Sequence, residues 1–181
     1  MRNVNFYHRY YDKIRLMFWD EARFGRINEI AKCWAPLGIR PTVPFHVVRE
    51  YMYLYGAVDP ITGDNTFVIA PTCNTAWSSA FLEVLSKRFE NDYILLCGDK
   101  ASWHTTKKLK LPDNIELFDL LACTPEMNPI EQLWPEFRHD FKNKMFSTLD
   151  KISDQLCVVV NKLTNDVVKS VTGRDWIYLM F

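Results

Sequence analysis

A mixed α/β sheet of five strands with helices on both faces is the fold class this sequence predicts. Three observations predict it. A turn-rich segment, 59–65, joins two strand-like runs; a helix-periodic segment leads straight into a compact apolar run; and the same α-then-β order recurs before two closing helices. Size and composition agree: 181 residues suit one domain spanning 1–181, and 48% hydrophobic with 24% charged residues excludes a disordered or collagenous chain.

The first element is the apolar run 14–19, which stops at Asp20-Glu21 and whose length favours a buried strand over a helix. From 23 to 44, Gly25, Pro36, Gly38, Pro41 and Pro44 interrupt short apolar pairs, so irregular extended chain with at most one strand is expected. Residues 51–58 read as a strand, 59–65 as a turn and 66–70 as the returning strand of a hairpin. Over 75–89, Trp77, Phe81, Leu82, Leu85 and Phe89 recur at helical spacing behind Asn74, a capping residue. Residues 93–97 are a buried strand ending at Gly98-Asp99, reached from the helix by a parallel crossover. A short polar helix is expected over 103–110 and another strand over 115–118. Asn128-Pro129-Ile130-Glu131 has the marks of a helix start: a capping Asn, Pro at the first helical position, and Glu three residues after the cap. That helix is expected to run to about residue 146, and a last one, opened by Ser147-x-x-Asp150, carries Ile152, Leu156, Val159, Val160 and Leu163 on one face.

Charge is balanced at 22 basic against 22 acidic residues, so no global field holds a polyanion. Residues 1–50 have a local surplus, 9 Lys/Arg against 5 Asp/Glu, and Lys107, Lys108 and Lys110 cluster; such a cluster reads first as a solvated face. Cys33, Cys73, Cys97, Cys123 and Cys157 lie far apart, with no Cys-x-x-Cys pair and no His pair at zinc spacing, and are expected to be reduced, mostly buried thiols of a cytoplasmic protein. No signal-peptide pattern and no apolar run long enough to span a bilayer is present, so no membrane is expected as a partner.

Three carboxylates stand out by position. Asp20 follows the first buried strand, Asp99 follows the strand after the first helix, and Glu131 sits in the first turn of a later helix. Ligand sites gather outside the carboxyl ends of neighbouring parallel strands, where Asp20 and Asp99 would project side by side. Carboxylates converging there repel one another unless a divalent cation lies between them. Mg²⁺ suits such a set, and two ions suit phosphoryl transfer, one activating the attacking oxygen and one stabilising the leaving oxygen. Plainer readings compete at each position: an Asp at a strand end forms turns or caps, a capping box accounts for Glu131, and His104 can be a ligand, a phosphate contact or a half-buried imidazole.

The local sequences narrow this choice. Asp20-Glu21-Ala22-Arg23-Phe24-Gly25, Cys33-Trp34-Ala35-Pro36-x-Gly38-x-Arg40-Pro41, Asp99-x-Ala101-Ser102-Trp103-His104 and Pro125-Glu126-Met127-Asn128-Pro129-Ile130-Glu131-Gln132-Leu133-Trp134 resemble, in order, the blocks of a bacterial insertion-sequence transposase of the mariner-like group with a DDE catalytic domain. The closing Val171-Thr172-Gly173-x-x-Trp176-Ile177 is similar to that group's C-terminus. The resemblance implies an RNase H-like, retroviral integrase-like fold with the first acid on the first strand, the second just after the fourth and the third on a following helix. It implies Asp20, Asp99 and Glu131 as the catalytic, metal-binding triad, with two Mg²⁺ ions or Mn²⁺ as substitute, and DNA as partner at transposon ends and target. The implied chemistry cuts the transposon end and then drives the freed 3′-hydroxyl into target DNA. Lys100 stands where the group usually has Asn, and Leu121-Ala122-Cys123-Thr124 replaces its more usual loop. Arg23, Arg26, Lys100, His104, Lys107, Lys108 and Lys110 are the candidate DNA contacts, with weak, salt-sensitive affinity expected. Members carry helix-turn-helix units before the catalytic domain; with 19 residues before Asp20, a catalytic domain lacking that module is expected, the module coming from a DNA-binding subunit or an upstream reading frame. A homo-oligomer on paired DNA ends is implied as well. Two other readings share the fold: a transposase-derived remnant that only binds DNA or a partner, and a stand-alone RNase H-like nuclease.

Overall fold

The computed structural model describes residues 11–27, 29–43, 45–101, 104, 106, 108–121 and 124–179. Its strands are β1 (Lys13–Ile27), β2 (Val47–Val58), β3 (Asn65–Ala70), β4 (Asp92–Gly98) and β5 (Ile115–Asp119). They form one sheet in the order β3-β2-β1-β4-β5. The hairpin pairs β2 with β3 antiparallel, β1 is antiparallel to β2 and parallel to β4, and β4 is parallel to β5. The helices are α1 (Thr75–Arg88), α2 (Leu133–His139), α3 (Leu149–Asn161), α4 (Asn165–Thr172) and α5 (Asp175–Tyr178), with 3₁₀ turns at Pro125–Met127 and Pro129–Gln132 before α2. This is the expected mixed five-stranded sheet, with helices on both faces.

The two faces follow from the two-residue period of β1 and β2. Phe18, Ala22, Phe24, Leu54 and Val58 point to one side and pack with Leu133, Phe137, Ile152, Leu156 and Val168 from α2, α3 and α4. Met17, Trp19, Tyr55 and Ala57 point to the other and pack with Phe81, Leu82 and Leu85 of α1 and Ile94 and Leu96 of β4. The Trp19 and Phe81 rings stack with centroids 6.0 Å apart. Each fully buried side chain of this size contributes roughly 1.5–3 kcal/mol relative to exposure. Beside the start of β4, Arg15 of β1 is 8% exposed and pairs with Asp92, with Asp64 at 2.5 Å and with Asp59 at 3.4 Å. The β2–β3 turn is thereby tied to β1 and β4.

Several boundaries differ from expectation, each for a physical reason. β1 does not stop at Asp20-Glu21. Its parallel pairing with β4 ends at Phe18, but antiparallel pairing with β2 continues through Asp20↔Gly56 to Ile27↔Val47 and carries the polar residues on as strand. The described residues of 103–110 form turns closed by His104 N–H to Ala101 O and Leu109 N–H to Thr106 O rather than the expected polar helix, which has no apolar stripe to dock. The helix expected from Asn128 to about residue 146 starts as a 3₁₀ turn and ends as α2 at His139. Asn128 makes no side-chain cap there: its Nδ2–H is turned to the Trp19 carbonyl of β1, and Oδ1, the atom a cap would use, has no hydrogen-bond partner among the described residues. The next helix, α3, is capped by Thr148, whose Oγ1 accepts from Lys151 N–H, not by Ser147. Thr148→Ala should therefore lower stability by about 1 kcal/mol, and Ser147→Ala should leave it within a few tenths, as measured by urea denaturation. α3 closes before Leu163, and Thr164 caps α4 in turn.

The cysteines also differ: Cys33 and Cys157 are exposed, Cys73 and Cys97 are partly buried, and Cys123 lies outside the described residues. All four described thiols are free, and burial pushes Cys97 up to about 11, so that thiol stays protonated. Among the described residues no helix is long and apolar enough to cross a membrane.

Candidate active site

The three predicted acids arrive at one cleft from three elements. Asp20 lies within β1, Asp99 follows the last residue of β4, and Glu131 sits in the Pro129–Gln132 turn. Together with Lys100, Leu120, Thr124, Pro125 and Asn128 they line a cleft of about 330 Å³. The expected placement of Asp20 after a strand end is corrected here: it is mid-strand, two residues past the point where β1 parts from β4. That parting leaves space beside β1 at the carboxyl end of β4, where ligand sites of α/β sheets form.

Local packing fixes each acid. Asn128 is 5% exposed, and its Nδ2–H donates to the carbonyl of Trp19 at 3.1 Å, anchoring the Glu131-bearing turn to the peptide just before Asp20. The Asn128 N–H bonds Pro125 O and the Glu131 N–H bonds Asn128 O, so these residues form consecutive tight turns and not the expected capping box. Ile130 is fully buried and packs above Gly56, the partner of Asp20 across β2; a Cβ on Gly56 would run into the Phe67 ring and Ile130. On the Asp99 side, a Cβ on Gly98 would collide with the indole of Trp19. Glycine is needed there because β4 approaches that ring so closely.

Electrostatics single out Asp20. Burial pushes its carboxyl up to about 7, with the charges of Glu131 and Glu21 adding to the rise, while a hydrogen bond from Trp134 Nε1–H at 3.0 Å opposes it. An acid raised this way is destabilised as an anion and would be relieved by a cation. Among the described residues, no three His, Cys, Asp or Glu side chains are already drawn together as a metal cage. The donor chemistry nonetheless fits a hard divalent ion: three carboxylates border one cleft, and the buried Asn128 Oδ1 there has no hydrogen-bond partner.

Residue parity sends Glu21 to the opposite side of β1 from Asp20, toward Trp19 and α1. Its carboxylate meets His104 Nε2 at 2.7 Å, and His104 Nδ1 lies 3.0 Å from Asp99 Oδ1. Burial pulls the His104 imidazole down, but hydrogen bonding to Glu21 and the charges of Glu21 and Asp99 outweigh it and hold the ring above its ordinary value.

Sequence comparison bears directly on this arrangement. Residues 15–153 match the family model of the DDE superfamily endonucleases. The chain belongs to that family. It is 34% identical over 130 residues to an uncharacterized protein of Sinorhizobium fredii, y4pE/y4sA, a match covering 70% of this chain and 96% of that protein. Its fold is similar to that of Mos1 transposase in a paired-end complex with the left transposon end, with TM-score 0.67 and 16% identity over 87% of this chain and 51% of that one. A mariner Mos1 paired-end complex with Mg gives TM-score 0.66 at 18% identity, with the same coverage. The chain thus spans about half the length of the Mos1 chains it matches. The fold is RNase H-like, as the sequence resemblance implied.

The candidate DNA contacts of this DDE endonuclease separate into distinct groups. His104 is 5% exposed and held behind Asp99 by hydrogen bonds to the Asp99 carbonyl and to Glu21, which corrects its reading as a phosphate contact. Arg26 is engaged by Glu50 at 2.6 Å and by the carbonyl of Phe146 at 3.0 Å, a clasp between β2 and the segment after α2. Lys100 lines the cleft but pairs with Asp119 at 3.5 Å. Arg23 is exposed over the Tyr51 ring, and Lys108 and Lys110 are exposed along a groove beside α1. Lys107 lies outside the described residues. Sequence reasoning missed Glu21 and Trp134 as neighbours of the acids. Two-residue alternation after Trp19 carried the signal for Glu21; the Trp134 contact depends on how α2 docks, and no local pattern reports that.

Proposed function

We propose that this chain is the catalytic domain of a transposase that cuts and joins DNA by phosphoryl transfer with divalent cations, in the manner expected of an insertion-sequence element. The observation that carries this reading is the meeting of Asp20, Asp99 and Glu131 at one cleft, from the elements on which a DDE domain carries its acids. Mg²⁺ or Mn²⁺, two ions, would be held by these three carboxylates. When bound, the cations supply activation of the attacking oxygen and charge stabilisation of the leaving oxygen in an in-line displacement. Trp134 Nε1–H holds one oxygen of Asp20, and Asn128 ties Glu131 to β1, so the chain limits the acids' freedom before substrate arrives. Arg23, Lys108 and Lys110 supply exposed positive charge for the phosphate backbone, and Lys100 at the rim of the cleft joins them when it exchanges Asp119 for a phosphate. DNA ends and target DNA are the partners, with end recognition by a separate DNA-binding unit and action as a multimer on paired ends.

The test is a strand-transfer assay with pre-cut ends alongside calorimetric Mn²⁺ titration. The parent chain is expected to bind Mn²⁺ and yield joined products, and Asp99→Ala to lose both. Joined products undiminished in Asp99→Ala would overturn the assignment. Cleaved but never joined DNA would point to a nuclease.

A further inference from the structure

We infer that Glu21 and His104 are positioning residues that clamp one oxygen of Asp99 and so present the other to a cation in the cleft. The inference rests on the proposed metal site and concerns how this chain holds its second acid.

Asp99 has a positional problem. It lies beyond the end of β4 with its side chain 63% exposed, so packing does not select its rotamer. Hydrogen bonds do. Its Oδ1 accepts from the Ala101 N–H at 3.1 Å and lies 3.0 Å from His104 Nδ1, which is also 3.3 Å from the Asp99 carbonyl. Those contacts leave Oδ2 as the oxygen for a cation.

The donor that holds Asp99 is itself immobile. The His104 side chain is 3% exposed, and its ring lies 4.0 Å from that of Trp19 at 33°. Its far nitrogen meets Glu21, 6% exposed, at 2.7 Å. With an oxygen at polar-contact distance from each ring nitrogen, the ring cannot turn without losing a contact on one side. Glu21 adjoins Asp20 in β1 and faces the opposite side of the sheet. The strand that carries the first acid therefore holds the second through His104, which fixes the two in register although they come from different strands. This chain accounts for a buried Glu next to Asp20, a residue the cleft itself does not use. It also accounts for an imidazole too buried to reach DNA. Partners of this kind orient metal-binding side chains, and their loss commonly weakens metal affinity by about 10–100-fold.

Calorimetric Mn²⁺ titration of the full chain, at a temperature well below each variant's melting point, tests the inference. His104→Ala removes the contacts to both Asp99 and Glu21 and is expected to weaken Mn²⁺ binding by about 10–100-fold. His104→Asn places an amide N–H where Nδ1 stood and should recover much of that loss; His104→Gln, which fills more volume but reaches toward Glu21, should not. A role in packing alone predicts the reverse order, since Gln is nearer to His in size. Should His104→Ala not fold, the isosteric Glu21→Gln carries the same test, with Mn²⁺ binding expected to weaken several-fold. Folded His104→Ala or Glu21→Gln that binds Mn²⁺ like the parent, while Asp99→Ala does not bind, would overturn the clamp and leave the metal site standing. Undiminished binding by Asp99→Ala would instead remove the metal site and the clamp with it.

Discussion

Asp20→Asn is expected to stabilise the metal-free protein at pH 8 by about 2–4 kcal/mol, since each unit of a raised carboxyl pKa costs about 1.4 kcal/mol once the group ionises. The same substitution should abolish Mg²⁺-dependent DNA cleavage. Burial holds the Asp20 carboxyl at about 7, against an ordinary value of 3.8. Between these values the folded state keeps a proton that the unfolded state has released, so the parent loses stability as pH rises from about 4 to 7 and is level above that. Asn carries no such charge, keeps an oxygen for the Trp134 N–H, and removes the repulsion from Glu131. The stability difference between variant and parent should therefore grow through that window and then hold constant, reaching roughly 5–10 °C in Tm for a domain of this size. Mn²⁺ or Mg²⁺ should raise the parent's Tm at pH 8 and leave that of Asp20→Asn unmoved, because only the parent has the charge that binding relieves. A pH-independent difference in thermal melts would show that Asp20 is not enclosed as described.

Arg15→Met should cost about 3–5 kcal/mol at pH 7, because removing one partner of a buried ion cluster leaves the others as uncompensated charge. Arg15 bonds Asp92 and Asp64, lies 3.4 Å from Asp59, and has its guanidinium 4.2 Å from the centre of the Phe89 ring. Partial burial pushes the Asp64 carboxyl up, but hydrogen bonds from Arg15 and Thr62 and the Arg15 charge outweigh it and leave it below its ordinary value. Its contribution is complete above pH 4 and is lost as pH falls through that lowered value. Urea denaturation of parent and variant should accordingly show a gap that is wide at neutral pH and narrows below pH 4. A gap under 1 kcal/mol at pH 7 would mean that water already screens the cluster. The site is predicted to be untouched, since Arg15 lies beside the opposite end of β4 from Asp99.

Much of the fold was legible because its signals are local. The 59–65 turn with its flanking strands, the Asn74 cap with the stripe behind it, and the compact run before Gly98 each depend on residues close together in the chain. The misjudged boundaries share a different cause. β1 looked finished at Asp20-Glu21 because two charged residues end an apolar run, yet β2 supplies hydrogen-bond partners as far as Ile27. Asn128 looked like a cap because Asn before Pro usually is one, but the Trp19 carbonyl, 109 positions away, takes its amide.

The candidate site divides along the same line. Identity and order of the three acids, and their places around a strand, a strand end and a helix start, were readable from residue types and the blocks around them. Local hydrogen bonding and hydrophobic periodicity act over a few residues, and their imprint stays in the linear order. That the acids share one cleft, that Trp134 caps Asp20, that His104 lies behind Asp99 instead of facing DNA, and that Arg26 is spent on Glu50 all required the folded chain. The Arg26–Glu50 and Trp134–Asp20 contacts join residues 24 and 114 positions apart, and His104, only five residues from Asp99, is held behind it by Glu21, 83 positions away. No short-range propensity encodes such pairs; they are settled when the sheet closes and its two cores pack, where burial and hydrogen bonding choose among partners that are equally plausible in sequence.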